Sequence, residues 1–340
     1  MTDLTLGLAG VGRIGQLHAR TLAGLTRDLA ERGTALRLVV TDVVVEQARA
    51  VAAEIGAESA PSVDTLLERG VDGLVVATGT ATHPALIRAG VDAGVPVFCE
   101  KPVAVDVPTS LEVLEHVRAR GGQVVVGHQR RFDAGYLEAR RAFAAGELGW
   151  LHSFRAVTCD VSPPPVAFLA TSGGLFRDCS VHDFDILRWL TGQEVVEVYA
   201  RGSNNGDPAI GAVGDVDTAL AVVTLADGTV GTVTASRYNG AGHDVRLELQ
   251  GSAGSLLVGL DASTALHSAE PGVDFPPGPP HRTFAERFAP AYRAELAAFV
   301  EVVQGRRPNP CPPEEAIAAA RVADAAQESL LTGRPVRLDG

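Results

Sequence analysis

The stretch Gly10-Val11-Gly12-Arg13-Ile14-Gly15 constrains this 340-residue chain more than any other. It follows the short apolar run Leu4–Ala9 and leads into Gln16–Leu25, which carries a helical pattern. The six residues therefore stand where a strand turns into a helix. There the first glycine permits a tight turn, and the second lets backbone approach a pyrophosphate. The third lets helix and strand pack closely. The helix start then offers unpaired N–H groups and positive partial charge to an anion.

That context predicts a Rossmann domain in which Gly10, Gly12, Arg13 and Ile14 meet a dinucleotide. A second strand, Leu36–Thr41, ends at Asp42. An acidic residue there hydrogen-bonds the adenosine ribose and repels a 2′-phosphate, so NAD is expected over NADP. Asp42 lies further from the glycines than the usual spacing of roughly 20 residues. A longer helix or loop over Thr26–Thr34 accounts for the difference.

Helix and strand patterns then alternate: Val45–Ile55, Ser62–Glu68, Gly73–Thr78, Pro84–Asp92, Pro96–Cys99, Val107–Arg120 and Gln123–Gly127. Such alternation predicts a parallel sheet. The link from Thr78 to His83 joins a strand end to a helix start, where open α/β sheets bind ligands. Thr78 and His83 thus join the cofactor-binding candidates, although Thr78 and Thr80 also suit a helix cap.

Of the 29 lysines and arginines, Lys101 is the only lysine. It follows Glu100 and precedes Pro102, at the end of the run Pro96–Cys99. A lysine is a compact ammonium whose pKa moves on burial, whereas arginine stays charged in a planar fork. A lone survivor of an arginine bias would look the same by composition. Position on the ligand-binding edge favours a chemical role for Lys101, with Glu100 beside it at the cofactor.

The formal charge of −12 argues against nucleic acid as a partner, since phosphate contacts need clustered cations. No apolar run reaches the ~18 residues of a membrane span. Met1-Thr2-Asp3 leads into the first strand without a basic leader. The four cysteines, Cys99, Cys159, Cys179 and Cys311, show no Cys-x-x-Cys spacing. A cytoplasmic protein with no metal site is expected.

Past Gly127 the alternation stops. Helical Leu137–Ala145 precedes candidate strands at Leu151–Thr158, Val195–Arg201, Asp217–Leu225, Thr229–Ser236 and Val245–Gln250. Asp227-Gly228 is a hairpin cue. Helices over Ala291–Val303 and Glu314–Leu331 precede a short strand, Val336–Leu338. The expected architecture is α/β: a Rossmann domain over residues 1–127, then an α+β domain over residues 128–340 with a large, mainly antiparallel open sheet. The C-terminal helix has the option of packing back on the first domain.

The second half contains Gly173-Gly174-Leu175-Phe176-Arg177-Asp178-Cys179-Ser180-Val181-His182-Asp183-Phe184-Asp185, read as an amphipathic helix ending at Thr191-Gly192. Asp178 and His182 are four apart and so share a helix face. A carboxylate one turn before an imidazole fixes its tautomer and raises its basicity, which suits a general base. Asp185, three beyond His182, is an alternative orienting partner. A plain N-cap at Asp178 and a core histidine at 182 fit the same spacing, and the residues alone leave both readings open.

Taken together, the glycine turn, Glu100-Lys101-Pro102, Gly127–Asp133 and Gly173–Asp185 resemble the Gfo/Idh/MocA oxidoreductases, and within them the inositol 2-dehydrogenase branch. Tyr292–Leu296 and Thr332–Val336 look like that branch too. The resemblance implies a catalytic group of Lys101, Asp178 and His182, with Glu100 near the nicotinamide ribose. It implies NAD-dependent oxidation of a secondary alcohol on a cyclic polyol or sugar, and assembly into dimers or tetramers through the open sheet. Other enzymes on this scaffold act on pyranoses or nucleotide-linked sugars, and a non-catalytic NAD sensor would keep the glycine turn and Asp42 alone. Ala241 and His243 stand where typical inositol dehydrogenases carry more tyrosine, and Pro163-Pro164-Pro165 lies in a pocket-shaping stretch. Arg130 and His243 are the expected substrate contacts.

Overall fold

The computed structural model describes residues 2–338. They form two compact units: one runs to Phe132 and adds Pro290–Ile317, and the other comprises Asp133–Ala289 and the chain from Ala318.

The first unit is built on β1 (Thr2–Ala9), α1 (Arg13–Glu31), β2 (Thr34–Thr41), α2 (Val45–Ile55), β3 (Glu58–Ser59), α3 (Val63–Glu68), β4 (Gly73–Val76), α4 (His83–Asp92), β5 (Val97–Glu100), α5 (Val107–Arg120) and β6 (Val124–Gly127). The six strands pair in the order β3-β2-β1-β4-β5-β6, all parallel. The order reverses between β1 and β4, the switch point at which doubly wound sheets bind ligands. β4, β5 and β6 are buried along their whole length, which explains their unbroken apolar sequences.

Leu6, Leu8, Val40 and Phe98 pack with Leu22 of α1 and with Leu296, Phe299 and Val300. Val39, Val76, Val97 and Cys99 pack with Ile87, Val113, Val117 and Cys311. Cys99 and Cys311 are thus small apolar core residues. The long interval between the glycines and Asp42 is helix, since α1 runs on to Glu31.

The second unit contains α6 (Ala134–Ala144), β7 (Leu151–Cys159), α7 (Val166–Leu169), α8 (Val181–Thr191), β8 (Val195–Ser203), α9 (Pro208–Ala212), β9 (Thr218–Leu225), β10 (Val230–Ser236), β11 (Asp244–Gly251), β12 (Ser255–Val258), α10 (Phe284–Arg287) and β13 (Val336–Arg337). Two long helices complete the chain. In α11 (Ala289–Val303) all but the first residue belongs to the first unit, and α12 (Pro313–Thr332) passes into the second after Ile317.

The seven strands lie in the order β12-β11-β7-β10-β9-β8-β13. Every pair is antiparallel except β7 with β10. The Asp227-Gly228 cue marks the β9–β10 hairpin, where Gly228 has φ +88° and Asp227 Oδ1 accepts the Thr229 N–H. β12 lies outside the expected strands. It is a four-residue edge strand, and Leu256 and Leu257 follow glycine and serine with no alternation to mark them.

One further difference matters for the site. The segment around Asp178 is not the start of a regular helix: Phe176–Ser180 is a π-helical turn, and α8 begins only at Val181. Gly192 closes α8 in the left-handed region, at φ +66°, as its position predicts.

Candidate active site

In the first unit the turn after β1 is shaped by its glycines. Gly10 has φ +92°, and a Cβ there would stand 2.7 Å from the Ala77 carbonyl oxygen. A Cβ on Gly15 would run into the Gly10 carbonyl. At Gly12, the N-cap of α1, a Cβ would meet nothing within 4 Å, and no side chain caps the helix. The cradle is therefore tight below, open above, and lined by the uncapped first turn of α1. A pyrophosphate fits that donor set.

Asp42 stiffens the same turn. Its Oδ2 accepts the Val11 N–H at 2.8 Å and its Oδ1 the Val44 N–H at 2.9 Å. The Val11 carbonyl accepts from the amides of Gln16 and Gln47. Asp42 is half-buried, and a carboxylate has lone pairs beyond these two bonds to accept from ribose hydroxyls. Arg13 and Ile14 occupy the first turn of α1.

Thr78 ends the β4 loop, hydrogen-bonded through its hydroxyl to that of Thr82 at 2.6 Å. His83 is buried, with Nδ1 2.7 Å from the Pro102 carbonyl oxygen and Nε2 3.2 Å from that of Thr78. The imidazole thus ties the loop after β4 to the loop after β5, and both ring nitrogens are engaged by the chain itself. Lys101 is half-buried directly after β5, and its bond to Pro102 is cis.

Glu100 is the last residue of β5, in register with Gly127 of β6. His18 of α1 reaches it: Nε2 lies 2.6 Å from Glu100 Oε1. Burial alone would raise the Glu100 pKa, but the His18 hydrogen bond and charge, with Lys101 and His83, outweigh it and hold the carboxyl below the ordinary value. The His18 ring meets Phe98 and Tyr292 edge-on. Burial, with Glu100 and Glu295 nearby, pushes the Tyr292 phenol well up. Arg130 is buried on the one-turn helix Gln129–Phe132.

In the second unit Asp178 lies in the π-turn and His182 in the first turn of α8. Single π-turns inside helices recur at functional sites, because one extra residue changes the direction of the side chains around it. Asp178 is the N-cap of neither element, since those positions are Leu175 and Ser180. Its Oδ2 instead accepts from Arg237 Nη1 at 2.8 Å, and Arg237 Nη2 donates to Asp215 Oδ2 at 2.8 Å. His243 is buried, with Nδ1 3.1 Å from Asp160 Oδ1, and its Nε2 has no hydrogen-bond partner among the described residues. The bland reading of Asp178 as an N-cap is thereby replaced by an ion pair.

Sequence reasoning missed His18, Arg237, Asp215 and Asp160. Arg237 stands four residues before Ala241, but nothing in its spacing points to Asp178. The partners are 59 residues apart and meet only because β10 lies against the π-turn.

A family model described as an oxidoreductase family with an NAD-binding Rossmann fold matches residues 4–128, and one described as the GFO/IDH/MocA C-terminal domain matches residues 136–257. The chain is 38% identical over 333 residues to the myo-inositol dehydrogenase Hyg17 of Streptomyces leeuwenhoekii, covering 97% of this chain and 98% of that protein. It is 35% identical over 335 residues to the scyllo-inositol 2-dehydrogenase (NAD(+)) of Bacillus subtilis, covering 97% and 95%. The crystal structure of scyllo-inositol dehydrogenase from Lactobacillus casei, with bound NAD(H) and scyllo-inositol, superposes with a TM-score of 0.86 at 26% identity over 99% of each chain. The chain belongs to the GFO/IDH/MocA family and is an NAD-dependent oxidoreductase.

Proposed function

We propose that this enzyme oxidises one secondary alcohol of a cyclic polyol, an inositol, to the corresponding ketone, in the manner of an inositol 2-dehydrogenase. What carries the reading is similarity over nearly the whole chain to dehydrogenases of two inositol stereoisomers, together with the Lys101, Asp178 and His182 set. The two stereoisomers leave the ring hydroxyl pattern open, so the substrate is written as a class.

Residues 1–127 are assigned to the cofactor and residues 128–340 to substrate binding and assembly. Gly10, Gly12, Arg13 and Ile14 would hold the pyrophosphate, Asp42 the adenosine ribose, and Thr78, Glu100 and Lys101 the nicotinamide end, with His83 holding that end's loops together. A bound nicotinamide supplies hydride acceptance. His182 takes the proton from the substrate hydroxyl. Lys101 donates a hydrogen bond to the oxygen as negative charge develops on it, and Asp178 supports the positive charge that builds on the imidazole. An ammonium aimed at developing charge away from water lowers the barrier without reorganisation, which is the logic of an oxyanion hole. Arg130 and His243 are proposed contacts to the other ring hydroxyls.

A second copy of the chain is proposed to cover the open face of the seven-stranded sheet, giving a dimer or tetramer. Leu220, Val222 and Val230 are exposed on neighbouring strands β9 and β10, an apolar strip of the kind that marks an interface. Light scattering behind a sizing column reads the assembly. Four free cysteines, three of them buried, support a cytoplasmic location.

The activity is tested by following NADH formation on mixing the enzyme with NAD and a panel of inositol stereoisomers and pyranoses. Turnover of at least one inositol with NAD is expected. Turnover of pyranoses alone would reassign the substrate class.

A further inference from the structure

We propose that Arg237 is a positioning residue for the reaction: its guanidinium bridges Asp178 and Asp215 and so fixes the Asp178 carboxylate for its work with His182. The inference rests on the catalytic reading of Asp178 and His182 given above.

Four observations carry it. Arg237 follows β10 immediately and has no exposed surface, although it is the largest fully buried side chain in the described residues. Each arm of its fork makes one 2.8 Å contact, Nη1 to Asp178 Oδ2 and Nη2 to Asp215 Oδ2. Asp215 in turn accepts the Leu175 N–H on Oδ1 at 2.9 Å. One carboxylate therefore anchors both the guanidinium and the backbone three residues before Asp178. Asp178 itself sits in a π-turn, where a regular helical ladder does not fix the direction of its side chain.

A buried cation is costly unless it is paired, and the planar fork sets one rigid arm on each carboxylate, whereas an ammonium keeps the charge but not that fixed geometry. The other groups around this point are already engaged. Cys179 Sγ lies 4.0 Å from Arg237 Nη1 and from Asp178 Oδ2, and 3.9 Å from Asp160 Oδ2. Asp160 Oδ1 faces His243 Nδ1. Asp217, whose carbonyl accepts the Arg237 N–H, accepts the Asn205 and Gly206 N–H groups on its own carboxylate. Asp183 on α8 accepts from Thr158 of β7.

The consequence is a signed pH effect. With Arg237 removed, Asp178 loses the opposite charge on its carboxylate, and a carboxylate that loses such a partner binds its proton at higher pH. While Asp178 does stay ionised, His182 is no longer opposed by the guanidinium and keeps its own proton to higher pH. Activity requires Asp178 ionised and His182 neutral, so both effects move the acid limb of kcat/KM upward.

The test compares wild type, Arg237→Met, Arg237→Lys and Asp215→Asn in NAD-dependent polyol oxidation across pH, with NADH fluorescence titration as the control for cofactor binding. Arg237→Met should lose roughly 10- to 100-fold in kcat and move the acid limb up by about one pH unit, with NADH affinity unchanged. Arg237→Lys should recover much of the acid limb and part of kcat. A folded Arg237→Met enzyme with normal kcat and an unmoved acid limb would overturn the assignment. If that variant does not fold, Asp215→Asn decides: a fall in kcat supports the bridge, and wild-type kcat and pH profile overturn it. Asp178→Asn separates this inference from the reading beneath it. A crippled Asp178→Asn beside a normal Arg237→Met removes only Arg237, whereas a normal Asp178→Asn removes both.

Discussion

His18 Nε2 stands 2.6 Å from Glu100 Oε1, with the imidazole wholly buried beneath the strand end that carries Lys101. The pair keeps a buried carboxylate charged at the end of β5. Because the Glu100 pKa is lowered in the folded state, its contribution to stability is present above the unfolded value of about 4.3 and is lost as pH falls through the lower folded value. His18→Leu removes the hydrogen bond, and burial then pushes Glu100 the other way. The variant should lose about 3–5 kcal/mol at neutral pH, the cost of a stranded buried charge. That deficit should shrink as pH falls, because the buried Glu100 of the variant takes up its proton at higher pH than the wild-type carboxyl does. Urea unfolding at several pH values reads the difference; a deficit independent of pH would mean that the pair serves packing only.

Gly12 and Gly15 belong to one motif but answer to different demands. A Cβ at Gly12 enters open space, whereas one at Gly15 meets the Gly10 carbonyl. Gly12→Ala should therefore keep its stability within about 0.5 kcal/mol, yet bind NADH at least tenfold more weakly. Gly15→Ala should lose stability outright, by about 1–3 kcal/mol, the cost of overpacking. Thermal unfolding with NADH titration separates the two. Equal losses of stability would show that the space above Gly12 is not reserved for a ligand.

Asp42 accepts two backbone N–H groups and still presents lone pairs at the strand end. Asp42→Ser keeps a hydroxyl there but removes the charge that repels a 2′-phosphate. The ratio of kcat/KM for NAD over NADP should fall at least tenfold in steady-state assays, and an unchanged ratio would take Asp42 out of cofactor selection.

Much of this was legible in the chain. The glycine turn, Asp42 and the alternating patterns locate the parallel sheet, and the helices over Val45–Ile55 and Val107–Arg120 fall where periodicity puts them. Lys101 stands out because it is alone, and Asp178 and His182 because they are four apart. What escaped was of two kinds. The π-turn leaves no mark in residue spacing, so Asp178 reads as part of a regular helix. The buried partners of two candidate site carboxylates, His18 for Glu100 and Arg237 for Asp178, are 82 and 59 residues away in sequence. Such pairs are products of tertiary packing, and no local pattern announces them.

The central claim is that the single lysine acts chiefly by stabilising negative charge during the reaction, with only a minor share in holding the nicotinamide end of NAD. Lys101→Met in the intact chain tests it most directly, with kcat for inositol oxidation and the NADH dissociation constant measured on the same preparation. The account predicts a fall in kcat of roughly 100- to 1,000-fold, as when an oxyanion-hole donor is removed, with NADH affinity close to wild type. Normal turnover by Lys101→Met would contradict it.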